Sequence, residues 1–168
     1  MGTTSTKTDA LVAWIGRLPA WIFVAGSLPV LVGTSILMGQ LAALIGVPDD
    51  YVNPMEAHIG RGVLLPAFFA LVVAPLEETL LFQLCTKRIL GRLGYPSLYV
   101  YLVVSAALFA LSHEPHPLHA MNVFGQGLLL ALGFAARDYP GGHPFLLTAA
   151  AHSLRNALST TLIYLYPL

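Results

Sequence analysis

The sequence predicts an all-α protein: a polytopic transmembrane helix bundle of about five spanning helices, preceded by a short amphipathic N-terminal segment. Three observations carry this prediction. Of 168 residues, 57% are hydrophobic and only 10% are charged, where soluble domains carry roughly 25%. So few charges do not make a polar shell. The mean hydropathy is +0.75. The apolar residues also fall into runs separated by short polar loops, and most runs are close to the ~20 residues a spanning helix needs.

The elements follow in chain order. The opening MGTTSTKTDA is polar and lacks the basic, apolar, cleavage-site pattern of a signal peptide. The first hydrophobic segment is therefore expected to stay in the mature protein. An amphipathic piece is expected around Leu11–Ile15. Leu18–Val47 contains no charged residue and makes one tilted or Pro29-kinked helix. Asp49, Asp50, Asn53, Pro54 and Glu56 form a polar loop. From Gly62 the chain is apolar again until Lys87 and Arg88, apart from Glu77 and Glu78. Gly91–Pro96 reads as a turn, and Leu98–Ser112 as a third apolar run. A loop is expected over His113–His119, broken by Pro115 and Pro117. Ala120–Ala136 is a glycine-rich fourth segment of marginal length, RDYPGGHP a loop, and Phe145–Tyr166 the fifth segment. No repeat is visible, and residues 1–168 read as a single integral membrane domain.

Charge bounds partners and orientation. The formal net charge is zero, which argues against nucleic acid or another polyanion. The single cysteine, Cys85, excludes an internal disulfide and a cysteine metal cage. Basic residues favour the cytoplasmic side. Lys7 and Arg17, then Lys87, Arg88 and Arg92, then Arg137, fall on one side of a five-span chain, with Arg61 in the acidic outer loop as the exception. The expected location is an integral, multi-pass membrane protein with a cytoplasmic N-terminus, in the plasma membrane of a bacterium. The lipid bilayer is the expected partner; a membrane-embedded or membrane-associated peptide or protein substrate is what the family resemblance given below implies.

Ionisable groups inside spanning segments cost about 2.5–3.5 kcal/mol each on insertion scales and are functional candidates. Here they are Glu77, Glu78, His113, His152 and Arg155, with Asn156 as polar neighbour. His152 and Asn156 are four apart and share a helix face. Two histidines, a carboxylate and an amide on three helices make a hydrolytic site if they converge: a base for water, a partner to orient it, and donors for an oxyanion. The bland alternative is a set of interhelical polar contacts that hold a bundle together.

These residues resemble the motifs of the CPBP intramembrane proteases, the group that includes CAAX prenyl endopeptidases and bacteriocin-processing or abortive-infection-like proteins. That family carries Pro-x-x-Glu-Glu-x-x-Phe-Arg, Phe-x-x-x-His and His-x-x-x-Asn on separate helices. The matching stretches are PLEETLLFQ (Pro75–Gln83), FALSH (Phe109–His113) and HSLRN (His152–Asn156). The motif-bearing core covers about residues 62–166. The resemblance implies a glutamate-type endopeptidase. Glu78 would be the general base, His113 would help bind and polarise the attacking water, and His152 and Asn156 would stabilise the oxyanion. Glu77, Thr79, Gln83, Phe109 and Arg155 would support the motifs. No cofactor is expected. The alternative reading, a metalloprotease, puts zinc on Glu78, His113 and His152, a legitimate ligand set. A second functional class also stands: a non-catalytic membrane protein of the same fold, with an immunity or partner-binding role.

Anchored on Pro75 and Phe82, the first motif departs from the pattern twice. Thr79 takes the second glutamate's place and Gln83 the arginine's. Losing both charges together leaves no orphan charge in lipid, and the pair is expected to hydrogen-bond instead. A second register pairs Glu77 with Glu78 but misplaces Pro75 and Phe82. One tension follows from strict 20-residue spans, which put Glu78 and His113 at different depths. They meet only if the second helix is long or the third extends past Ser112.

Simpler readings cover the other residues. Arg155 is either a snorkelling cation or the counter-ion of Glu77. His116 and His119 read as interfacial polar residues rather than a metal cluster. Trp14, Trp21, Tyr95, Tyr99, Tyr164 and Tyr166 read as interfacial anchors. Gly125, Gly127 and Gly133 allow close helix packing, and Cys85 is an inert packing residue.

Overall fold

A computed structural model describes residues 7–48, 64–95, 97–113 and 115–165, and its regular structure is entirely helical. The helices are α1 (Lys7–Arg17), α2 (Ala20–Leu44), α3 (Leu64–Arg92), α4 (Leu98–Leu111), α5 (Pro117–Arg137) and α6 (Pro144–Leu165). By length and composition α2, α3 and α5 are long and apolar enough to cross a membrane. The protein is an all-α, membrane-spanning helical bundle. The expected Asp49–Glu56 loop, Arg61 and Tyr166 lie outside the described residues.

The buried core mixes apolar and polar side chains, while the outer surface carries many large apolar ones. On α3, Leu65, Phe68, Phe69, Val72, Leu76 and Leu80 are exposed, while Thr79, Gln83 and Thr86 are buried. A soluble helix does the reverse; this arrangement suits a hydrocarbon solvent. Helix α5 is the central post and packs against α1, α2, α4 and α6. Its glycines set the distances. A Cβ on Gly127 would stand 2.9 Å from Ala106 Cα of α4, and one on Gly133 would stand 3.0 Å from the Phe23 ring of α2. Close backbone approach stands in for the hydrophobic effect, which lipid removes as a force between helices.

At one end of the bundle α1 is tied down. Arg137, at the end of α5, donates to the Gly16 carbonyl at 3.2 Å and to the Leu18 carbonyl, and its guanidinium lies over the Phe23 ring. Lys87 of α3 pairs with Asp138 at 2.6 Å. The ends of α1, α3 and α5 therefore meet, and they bring Arg17, Lys87 and Arg137 together.

One segment expectation is corrected. Helix α5 begins at Pro117, not Ala120, so His119 is helical rather than part of a loop. Proline at the first helical position surrenders an N–H that has no partner there anyway. Helix α4 has only 14 residues, about 21 Å at ~1.5 Å per residue, short of the ~30 Å hydrocarbon layer. Helix α3, in contrast, runs for 29 residues with Glu78 at its centre. From the turn that joins them, Glu78 and His113 each lie about 21–22 Å deep by the same rise. The depth mismatch disappears because one helix is long and the other stops partway.

Helix α3 is not regular. It contains two π turns, Phe69–Val73 and Thr79–Cys85, on either side of the segment that carries Glu77 and Glu78. Such turns loosen the backbone ladder and recur at functional sites. Another helix supplies a donor to a carbonyl in each. Asn156 Nδ2 donates to Ala70 O at 2.9 Å, and Ser105 Oγ donates to Phe82 O at 2.7 Å.

Candidate active site

Three helices converge on the Glu78 carboxylate. His113, just past the end of α4, places Nε2 3.8 Å from Glu78 Oε1. His152, on α6, places Nε2 3.5 Å from Glu78 Oε2. Phe109 is the wedge between them: its ring meets His113 edge-on at 4.7 Å and His152 edge-on at 5.7 Å, and it is itself packed on Phe82 at 5.6 Å. Phe109 is buried and belongs to the core, so both imidazoles are set against a rigid surface.

Hydrogen bonding assigns the protons. His113 Nδ1 lies 2.7 Å from the Phe109 carbonyl. A carbonyl only accepts, so Nδ1 carries the hydrogen, and in the neutral tautomer Nε2 presents its lone pair to Glu78. Carboxylate and lone pair are both acceptors, and 3.8 Å is too long for a direct bond. The gap suits a water that gives one hydrogen to each. His152 is the opposite case. Its Nδ1 is buried with no partner among the described residues. An orphaned lone pair costs less than an orphaned N–H, so the hydrogen belongs on Nε2, facing Glu78.

These groups open into a cavity of about 250 Å³. Two stripes wall it, each with spacing i, i+3, i+4, i+7 and polar except at Val123. On α6 they are His152, Arg155, Asn156 and Ser159; on α5 they are His119, Asn122, Val123 and Gln126. Helices α5 and α6 are consecutive and antiparallel, so the cavity lies toward the start of α5 and the end of α6, away from Arg137. Gln126 also donates to Ser35 Oγ of α2 at 3.1 Å. The sequence reading missed His119, Asn122, Gln126 and Ser159. Their signal is polar residues recurring every three or four positions inside apolar helices, visible on α5 once it is known to start at Pro117.

Glu78, His113, His152, Asn156, Phe109 and Arg155 thus meet at one cavity, and the other named residues do not. Glu77 is exposed and is not among the residues that line the cavity. Arg155 lines the cavity, and no ion pair joins it to Glu77; the counter-ion reading is corrected. Thr79 and Gln83 are fully buried, but Thr79 Oγ1 and both Gln83 amide atoms have no partner among the described residues. The expected bond between them is absent. It assumed α-helical spacing, and both residues belong to a π turn. Asn156 spends one amide hydrogen on Ala70 O; its second hydrogen and its carbonyl remain.

Zinc would need its donors at about 2.0–2.2 Å from one point. The two histidines instead approach different oxygens of Glu78. Among the described residues no group of three or more His, Cys, Asp or Glu is placed to hold a metal ion.

The profile of the Type II CAAX prenyl endopeptidase Rce1-like family matches residues 60–158, more than half of the chain and all of the cavity except Ser159. No curated protein and no solved structure matches the chain.

Proposed function

The chain belongs to the Type II CAAX prenyl endopeptidase Rce1-like family, and we propose that it is an intramembrane endopeptidase hydrolysing a membrane-associated peptide. In this reading residues 1–168 form one domain and five helices, α2 to α6, are embedded in the plasma membrane of a bacterium. The observation that carries the proposal is the Glu78 carboxylate flanked by the His113 and His152 imidazoles, one on each oxygen.

The chemistry follows from the protons. A water bound between Glu78 Oε1 and His113 Nε2 gives a hydrogen to each and turns its lone pairs toward the cavity. Attack on a peptide carbonyl transfers one of those protons to Glu78, which later returns it to the leaving amine. The carbonyl oxygen becomes an oxyanion. His152 Nε2–H and the second Asn156 amide hydrogen are the donors within the same cavity, preorganised by burial and by the Ala70 bond.

The test is cleavage of membrane-anchored peptides by the purified, reconstituted protein. Glu78→Gln should lower turnover by about 10²–10⁴, the usual worth of a positioned base. The non-catalytic reading draws on the unpartnered Thr79 and Gln83, which depart from the family pattern. Equal behaviour of wild type and Glu78→Gln, both folded, would establish it instead.

A further inference from the structure

Resting on the endopeptidase reading, we propose that Arg155 is a specificity residue that binds a carboxylate of the substrate within a few residues of the scissile bond. The ligand class is an apolar peptide carrying either a free C-terminus or an acidic side chain.

Placement comes first. Arg155 stands on the polar stripe of α6 that begins at His152 and lines the cavity. At ~1.5 Å per residue it is about 4.5 Å along the helix axis from His152, on the side away from Arg137. An extended peptide advances ~3.3 Å per residue. A substrate whose carbonyl sits at His152 therefore passes Arg155 after one or two residues.

Charge comes second. A cation in a membrane-embedded cavity is costly and calls for an anion. The described carboxylates near it are otherwise engaged. Glu78 faces the two histidines, Glu77 is exposed and is not among the residues that line the cavity, and Asp138 is held by Lys87 at the opposite end of the bundle. The facing wall carries no carboxylate among the described residues: its polar side chains are His119, Asn122 and Gln126. A guanidinium offers a planar fork that matches a carboxylate bidentately.

The third observation is independent. Asn122 Oδ1, on the opposite wall, is buried without a hydrogen-bond partner among the described residues. A peptide offers that acceptor a backbone N–H. A donor for a carboxylate on one wall and an acceptor for an amide on the other suit a peptide chain better than a lipid headgroup, which has no row of N–H groups.

The experiment measures binding, so it does not depend on turnover. Four fluorescein-labelled apolar hexapeptides are titrated with the full-length protein in nanodiscs and read by anisotropy. One ends in a free acid and one in an amide; two more are amides with a single internal Glu or Gln. Wild type should bind a carboxylate-bearing probe about tenfold or more tighter than its neutral partner, the scale of a charge-assisted hydrogen bond. Preference for acid over amide identifies the C-terminus; preference for Glu over Gln identifies a side chain. Arg155→Gln should bring the preferred probe down to its neutral partner and leave the neutral probes unchanged. Arg155→Lys should restore part of the preference. No preference in wild type overturns the proposal without any variant, as does an equal loss for all four probes in Arg155→Gln. A protein that discriminates carboxylates but never cleaves refutes the endopeptidase reading alone. One that cleaves through Glu78 but ignores the carboxylate refutes Arg155 alone.

Discussion

Asn156 shows how one side chain is asked to do two things. Its amide ties α6 to the first π turn of α3 through Ala70 O at 2.9 Å, and in the proposed mechanism its second hydrogen serves the oxyanion. Asn156→Ala should therefore lower turnover by about 10²–10³, as losing one oxyanion donor does, and leave KM little changed. It should also cost stability, about 1–3 kcal/mol for a buried carbonyl left unpaired, read as a lower unfolding temperature in detergent. A loss of stability with full activity would assign Asn156 a purely structural role. His113 differs, because its Nδ1 is bound within its own helix end, to Phe109. His113→Ala should reduce turnover with a smaller effect on folding. Much of this was legible in the sequence: Glu78, His113, His152 and Asn156 are rare residue types for apolar helices, and each stands at this cavity. What was not legible is who bonds whom. The sequence places an amide near a histidine but does not say that a backbone carbonyl 86 positions earlier takes one of its hydrogens.

Helices account for the rest of that gap. Apolar runs marked every helix, because lipid-facing leucines and valines leave a plain composition signal. They placed the end of α4 within one residue, with the run ending at Ser112 and the helix at Leu111. They did not reveal the π turns, which leave the apolar pattern of α3 unbroken. The glycines of α5 were legible and give a sharp test. Gly127→Ala puts a methyl 2.9 Å from the Ala106 backbone, so α4 and α5 must separate, and His113 rides on α4. Gly33→Ala on α2 meets nothing within 4 Å and should be neutral or stabilising by up to ~1 kcal/mol, the helix propensity difference. Thermal unfolding should rank the variants Gly33→Ala, wild type, Gly127→Ala, from most to least stable. The buried Thr79 extends the reasoning. Its hydroxyl has no partner, so the isosteric Thr79→Val should leave stability unchanged or raise it. Thr79→Glu, an unpaired carboxylate in a fully buried position, should reduce folded yield. A marked loss in Thr79→Val would show that the hydroxyl is satisfied by internal water.

Across the whole molecule, charge placement decides orientation and the cavity follows from it. Six of the eight basic residues (Lys7, Arg17, Lys87, Arg88, Arg92 and Arg137) belong to segments that the structure ties into one end, through Lys87–Asp138 and the Arg137 contacts to Gly16 and Leu18. Positive residues favour the cytoplasm, so that end is proposed to face inward with the N-terminus. The cavity then lies in the outer half of the bilayer, because His119 and Ser159 are at the opposite ends of α5 and α6. In the proposed mechanism polar side chains, not a metal, hold the water. Strong chelators should leave cleavage intact, and activity lost to a chelator and regained with stoichiometric zinc would overturn the metal-free mechanism. Orientation has its own test, made clean by the single native cysteine, Cys85. In a Cys85→Ser background, Arg92→Cys and Pro48→Cys place thiols at exposed positions at opposite ends of the bundle. A membrane-impermeant maleimide added to intact cells should label Pro48→Cys and spare Arg92→Cys until the membrane is opened. The reverse pattern would turn the bundle over and move the cavity, with the substrate segment it takes, to the cytoplasmic leaflet.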